Sequence, residues 1–424
     1  MTPKICPKVA VIGAGFMGRA MIWQAAKFSL LDCVAAYDIN IDTLGAFLIE
    51  NGLKYTQVHS LKEMNRAILS GSLAICSDIK LILEYKDIDA VIDASSAILD
   101  AAVFCADVLK NGKHLIMLNA EADLMFGAYF TEIAKKNNVV YTSCDGDQYG
   151  VLKRIIEEIK PWGFQVVMAG NIKGFLNRYA NEQSIAEEAQ KRGLNHKMCA
   201  SYTDGTKLNV EMALIANSEG YVAKYKGMLG PRAHRVTDVF TSFNLEKLWA
   251  DRIPCVDYLL GAEPGGGVYV IGYCEEKFQK ELLYYYKMGK GPFYLFYRPY
   301  HLCHLECTKT VLDAVLEKKV LMQPKRQMMT NVFAYAKKDL QVGELLDGPG
   351  GFTCYGLIEN MVDQERKEGF PICLTDGVRI KRAIKKDEKI LLSEVEIDST
   401  RIDYNIYSKY KLGEAEFTRR SAAS

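Results

Sequence analysis

The sequence has almost no net charge to set against a polyanion: 53 Lys and Arg face 52 Asp and Glu, a formal +1. A chain so balanced is not built to neutralise a phosphate backbone or an anionic bilayer, so nucleic acid and membrane are not expected partners. No apolar run approaches the ~20 residues needed to span a hydrocarbon core. Paired cysteines are missing too. Twelve cysteines are scattered singly, with no C-x-x-C, and Cys303 and Cys307 are the closest couple. That usage reads as free thiols in a reducing, cytoplasmic setting and speaks against zinc. The opening MTPKICPKVAVIGAGFMGRA has an apolar run but no small-residue cleavage site after it, so it reads as a strand and turn rather than a signal peptide. Internal repeats and low-complexity segments do not occur.

What is present is an ordinary globular composition, 49% hydrophobic and 25% charged over 424 residues, enough for two or three domains. Short apolar runs alternate with helical patterns in the first part. Lys8–Ile12, Cys33–Asp38, Ile88–Asp93, His114–Leu118 and Val139–Ser143 read as strands, with helices between, and Lys54–Ile82 as an insertion holding at least one helix. This alternation predicts an α/β fold with a doubly wound parallel sheet, a Rossmann domain over residues 1–163. Residues 164–298 read as an α+β substrate and dimerisation domain. Within it Gln165–Gly170 is a strand, Asn171–Asn181 an irregular polar stretch, Asp204–Ser218 a helix capped by Asp204, and Gly265–Gly272 a strand. A helix from Pro299, with proline in its first turn, is expected to complete the first domain over 299–320. Residues 330–413 read as a small all-β module of short strands and glycine turns, and the last ten residues as frayed.

The most specific motif is VAVIGAGFMGRA, which puts Gly13, Gly15 and Gly18 in G-x-G-x-x-G spacing after a strand and at the start of a helix. Asp38 follows Gly18 by 20 residues, at the end of the next strand. That is the context a dinucleotide fingerprint requires. Gly13 permits the tight turn, Gly15 the approach of backbone to pyrophosphate, and Gly18 the close packing of helix on strand. The helix N-terminus, with Ala14, Phe16 and Met17 in the turn, then faces the phosphate charge. Asp38 would accept hydrogen bonds from ribose hydroxyls and repel a 2′-phosphate, which favours NAD over NADP. Ser95, after the strand ending at Asp93, joins the same cofactor set.

Several segments resemble one family. MLNAEAD (Met117–Asp123), CDGDQYG (Cys144–Gly150), NIKGFLNRYAN (Asn171–Asn181), SYTDGTKLNVEMA (Ser201–Ala213), GPFYLFYRPYHLCHLE (Gly291–Glu306) and GGFTCYGLIEN (Gly350–Asn360) carry the resemblance. The group is described as predicted homoserine dehydrogenases with a C-terminal SAF module, and it includes 1-deoxy-D-xylulose 5-phosphate reductoisomerase-like enzymes. Homoserine dehydrogenases proper carry a lysine after the fifth strand, where this chain has Asn119, Ala120 and Glu121. Reductoisomerases carry an acidic metal-binding stretch that Asp145-Gly146-Asp147 resembles. AKKDLQVGELLDG and AIKKDEKILLSEVEID resemble SAF (β-clip) modules, which implies a lid or an oligomer contact.

Hydride transfer at a carbonyl needs a group that gives and takes a proton, and charge to stabilise the alkoxide. Lys207 is the candidate, with Asp204 and Glu211 on the same expected helical face; the alternative is a solvated Lys–Glu pair. Asn119 and Glu121 are expected near the nicotinamide ribose or substrate. Asp145 and Asp147, past a strand end, could hold Mg²⁺ or Mn²⁺, or form a plain Asp-Gly turn. Lys173, Asn177 and Arg178 form a basic loop suited to a substrate phosphate. Tyr300 and His301 are expected beside the cofactor, on the returning helix. The expected partner is a small polar substrate, and a homodimer is the expected assembly.

Overall fold

The computed structural model describes residues 6–28, 30–324, 328–364 and 368–411. In chain order the principal elements are β1 (Lys8–Ile12), α1 (Phe16–Phe28), β2 (Asp32–Tyr37), α2 (Ile41–Glu50), β3 (Tyr55–Gln57), α3 (Leu61–Leu69), β4 (Leu73–Cys76), α4 (Ile79–Glu84), β5 (Ala90–Asp93), α5 (Ala101–Lys110), β6 (His114–Met117), α6 (Ala120–Lys136) and β7 (Tyr141–Ser143). There follow α7 (Gln148–Ile159), β8 (Gln165–Lys173), α8 (Ala186–Lys191), α9 (His196–Asp204), α10 (Thr206–Glu219), α11 (Val239–Ser242), α12 (Leu245–Leu248), β9 (Cys255–Leu260), β10 (Val268–Tyr273), α13 (Lys277–Tyr285), β11 (Phe293–Arg298) and α14 (Cys303–Glu317). The chain continues through β12 (Thr330–Ala336), β13 (Cys354–Asn360), β14 (Arg379–Ile380), β15 (Val395–Glu396) and α15 (Ile402–Tyr410). Two compact units result. The first takes in the described residues up to Asp147 together with Leu302–Gln323; the second takes in Gln148–His301 and the described residues from Pro324 onward.

The first unit is built on a seven-stranded sheet in the order β3-β4-β2-β1-β5-β6-β7, parallel throughout. Its central strands are buried along their length and carry Val, Ile and Ala without alternation, as a sheet covered on both faces requires. The chain leaves β1 for β2 on one side and takes up β5 on the other. The strand order therefore reverses beside β1, and a ligand crevice is expected at the carboxyl ends there. The expected insertion over 54–82 is corrected: β3 and β4 continue the same parallel sheet, pairing Tyr55 with Leu73 and Ala35 with Ala74. Runs of three and four residues are too short to show a period.

α14 belongs to this unit. Cys307, Val311 and Ala314 form a buried stripe at helical spacing in the same core as Val9, Val11, Met21 and Ile22. The expected helix start at Pro299 is corrected to Cys303. The residue before a proline is driven to extended backbone, and Arg298 accordingly ends β11. The Glu306 carboxylate instead accepts from Leu302 N at 2.8 Å and closes the first turn. Tyr300 and His301 precede the helix and fall in the second unit.

The second unit has a four-stranded mixed sheet, order β11-β10-β8-β9, with β8 parallel to β9 and antiparallel to β10. β8 runs on through Lys173, so Asn171–Lys173 is strand, where an irregular stretch was expected. The single expected helix from Asp204 is two: α9 ends at Asp204, Gly205 turns with φ 86°, and α10 begins at Thr206. The Asp204 carboxylate still accepts from Thr206 N at 2.7 Å. The strand expected from Gly265 starts at Val268. The C-terminal stretch pairs β12 with β13 and β14 with β15, and adds the helix α15 to what was expected to be all strand. The terminal residues expected to fray lie outside the described residues. Among the described residues no cysteine is in a disulfide. Among the described residues no helix is long and apolar enough to cross a membrane.

Candidate active site

The glycine turn in the first unit is tight at two of its glycines and open at the third. Gly13 sits at φ 86°, and a Cβ there would lie 2.6 Å from Ser95 Cα. A Cβ on Gly18 would lie 1.9 Å from Gly13 O, so α1 reaches β1 only because that side chain is missing. Gly15 differs: a Cβ would meet nothing within 4 Å. The fold does not require glycine there, whereas an approaching ligand would. Asp38 pins the turn to the end of β2. Its Oδ2 accepts from Ala14 N at 2.6 Å and its Oδ1 from Asn40 N at 2.7 Å. Phe16 is 53% exposed at the head of α1, leaving that helix end open.

Beside it, the ends of β5 and β6 meet through a buried carboxylate absent from the sequence-based set. Asp93 accepts from Ser95 N at 3.0 Å and from Asn119 Nδ2 at 3.4 Å, and Cys105 Sγ lies 3.6 Å away. Burial pushes its carboxyl up to about 6, against the pull of those donors. Asn119 is a structural hinge of the site. It caps α6 by accepting from Ala122 N at 3.2 Å and donates to Ala97 O at 2.7 Å. Glu121 is buried in the first turn of α6. Asp123, two residues on in the same turn, binds Tyr141 Oη and Ser143 Oγ, and burial pushes its carboxyl up to about 6.

Asp145 and Asp147 follow β7 and are both buried. Asp145 N donates to Thr310 Oγ1 at 2.9 Å, and Asp145 Oδ1 accepts from Gly146 N at 2.8 Å. Gly146 has φ 84°, and a Cβ there would meet Cys303 Cα at 2.7 Å. Two carboxylates on one tight turn are oxygen donors of the kind a hard divalent cation takes.

In the second unit a charged cluster lies where α9 and α10 pack on β8. Lys207 and Glu211 are one turn apart on α10 and both buried. Half-buried Lys173 donates to Tyr202 O at 2.7 Å. Its desolvation lowers the ammonium's pKa, and the negative charges of Glu211 and Asp204 oppose that. Asp204 is bound to Lys337 at 2.7 Å, with both side chains almost wholly buried. Asn171, two residues before Lys173 on the same strand, is 1% exposed, and both its amide atoms are buried without a partner among the described residues. Of the expected basic loop, Lys173 and Asn177 bond to successive residues of α9, Tyr202 O and Thr203 O. Asn177 Oδ1 accepts from Tyr179 N at 3.2 Å, shaping its own turn, and the Arg178 guanidinium stacks on the Tyr355 ring at 5.3 Å. Tyr300 is half exposed, under the Arg298 guanidinium at 5.1 Å. Lys337 and Asp93 escaped sequence reasoning because each is defined by a partner distant in the chain, and Asn171 because only the folded sheet buries it.

Residues 146–307 match the family model described as "Oxidoreductase DRL, catalytic domain", and the chain is an oxidoreductase. No curated protein matches the sequence. Among solved structures the chain is similar to a probable dehydrogenase from Thermotoga maritima, at 12% identity, 74% of this chain, 90% of that chain and TM-score 0.42. It is also similar to scyllo-inositol dehydrogenase from Lactobacillus casei with bound NAD(H) and scyllo-inositol, at 14% identity, 64% and 67% coverage and TM-score 0.31. A third is 1-deoxy-D-xylulose 5-phosphate reductoisomerase from Zymomonas mobilis in complex with NADPH, at 13% identity, 49% and 57% coverage and TM-score 0.34. Likenesses this distant assign no ligand.

Proposed function

We propose that this oxidoreductase uses NAD or NADP to move hydride to or from a carbonyl or hydroxyl carbon of a small, polar, sugar-like substrate, with or without a phosphate. A reductoisomerase-like reaction is the form favoured, and a plain hydroxy-acid, polyol or homoserine dehydrogenase the nearer alternative. The observation that carries the reading is the glycine turn at the sheet's reversal point, tight at Gly13 and Gly18 and open at Gly15. Asp38, fixed by two backbone amides, disfavours a 2′-phosphate and so tilts the choice to NAD.

Within the second unit Lys207 gives or takes the substrate proton, with Glu211 one turn along the same helix. Lys173 holds the phosphate where there is one, and Asn171 offers its unpaired amide to a substrate hydroxyl. A reductoisomerase-like step would add Mg²⁺ or Mn²⁺ held by Asp145 and Asp147, supplying positive charge at the substrate oxygens. A homodimer with a SAF-like C-terminal module completes the proposal.

Calorimetry with NADH and NADPH, followed by turnover on sugar phosphates, polyols and hydroxy amino acids, tests it. Gly15→Ala should keep the melting temperature, since its Cβ meets nothing within 4 Å, yet lose nucleotide affinity. Gly18→Ala should lower the melting temperature. Lys207→Met should keep nucleotide affinity and lower kcat by about 100-fold or more, the scale of a lost general acid. Absence of binding by either nucleotide would end the proposal.

A further inference from the structure

The second unit carries a cleft of about 620 Å³ that the activity above does not use, lined by Gln165, Val166, Tyr221, Trp249, Arg252 and Tyr273 among others. It lies at the opposite end of the sheet from Lys173. Gln165, the first residue of β8, pairs with Tyr273, and Lys173, the last, pairs with Leu260. Eight strand steps separate them, about 26 Å at the usual rise. Tyr221 likewise follows the C-terminal end of α10, whereas Lys207 and Glu211 occupy its first half.

Two buried donors in this wall have nothing to donate to. Trp249 Nε1 and Tyr221 Oη are both without a hydrogen-bond partner among the described residues, and the two side chains are 5% and 3% exposed. Buried donors are nearly always satisfied, by protein, water or ligand, because leaving one unpaired costs its full desolvation. Burial also pushes the Tyr221 phenol far above its ordinary value, so it stays a neutral donor.

Beside them the same wall carries the exposed Arg252 guanidinium and one carboxylate, Glu275. The Arg252 guanidinium lies 4.5 Å from the Tyr273 ring centre and 5.5 Å from that of Trp249, and donates to Tyr273 Oη at 3.2 Å. Its backbone takes φ 57°, a conformation uncommon outside glycine and asparagine. Stacking so fixes the planar fork with most of its donors uncommitted, and no carboxylate pairs with it among the described residues. The other wall cation, Lys160, is already taken by Glu219 at 2.5 Å.

We propose that this cleft is a second binding site, for a small organic carboxylate. Trp249 N–H and Tyr221 O–H donate to its oxygens, Arg252 balances its charge, and its body packs against Val166 and Pro254. Arg252 makes no ion pair among the described residues, so an anionic group gains a charge-assisted contact there that a neutral polyol does not. The inference stands apart from the proposed hydride transfer and does not need it.

The test uses the full chain with Trp23→Phe and Trp162→Phe, which leaves Trp249 as the single emitter of the three tryptophans. Benzoate is titrated at constant ionic strength. The expected result is a saturable change in Trp249 emission. Arg252→Gln should weaken it by about tenfold or more, the loss of a charge-assisted contact. Tyr221→Phe, which removes only a hydroxyl, should weaken it several-fold. The proposal is overturned if emission stays flat to about 10 mM, where a millimolar site would be nearly full. A response unchanged in both variants would overturn it equally.

Discussion

A buried carboxylate is a liability unless its charge is met, and Asp93 shows how far partial compensation goes. Three donors reach it, yet burial still wins and its carboxyl rises from 3.8 to about 6. Folded Asp93 therefore holds its proton more tightly than unfolded Asp93. The penalty is fully present above pH 6, about 3 kcal/mol by the size of the shift. It fades as pH falls through 6 and is gone below about 4, where both states are protonated. Asp93→Asn removes this titration but adds a pH-independent offset from altered hydrogen bonds, so the slope is the diagnostic quantity. Between pH 7.5 and pH 5, urea unfolding should show wild type gaining roughly 1 kcal/mol on the variant. A constant difference across that window would mean Asp93 is not desolvated as described. At this scale the sequence was legible where chemistry dictates a local pattern: Gly13, Gly15 and Gly18 form a turn between β1 and α1, and Asp38 is bonded to it. Asp93 was hidden because its meaning depends on Asn119 and Cys105, which only the sheet brings to it.

Between elements, the end of α9 is clasped to the residue after β12 by a buried ion pair. Lys337 spends its three protons on Asp204, Ala180 O at 2.6 Å and Gly351 O at 2.7 Å. Such a network is costly to break on one side only, since the surviving charge stays buried and alone. Lys337→Met should cost about 3–5 kcal/mol of stability. Adding Asp204→Asn should return part of that loss, because it removes the stranded carboxylate. If the double variant instead loses the sum of the two single losses in chemical denaturation, the pair is not coupled and the clasp is misread. This pairing also explains how the sequence misled. Asp204, Lys207 and Glu211 have helical spacing, so they read as one polar face. Gly205 cuts the helix between the first and the second, and Asp204 turns to a strand more than a hundred residues on. Burial then replaces the solvated Lys–Glu alternative for Lys207 and Glu211. The short strands β3 and β4 were missed for a related reason: their partners, not their own periodicity, make them strands.

Across the whole molecule, the first unit is discontinuous in sequence, and that sets a condition on its folding. Its core includes Cys307, Val311 and Ala314 from α14. The chain beyond α14 then closes on β7, where Thr142 Oγ1 accepts from Leu321 N at 3.0 Å and Met322 N at 3.1 Å, and Ser143 N donates to Met322 O at 2.8 Å. β7 is the last strand of the sheet order, so this segment covers an otherwise open edge. The helix has an apolar period legible in the sequence, whereas this edge contact leaves no local pattern. A fragment ending at Asp147 keeps every strand of the sheet and the whole glycine turn, yet exposes the apolar seat of α14 and the β7 edge. It should lack a cooperative thermal transition and should not enhance NADH fluorescence. The same fragment with 302–323 attached through a flexible Gly/Ser linker should recover both, because the linker changes connectivity and leaves the packed surfaces as they are. Should the fragment ending at Asp147 melt cooperatively and hold NADH as tightly as the linked form, α14 would be an accessory to the nucleotide unit and no part of its core.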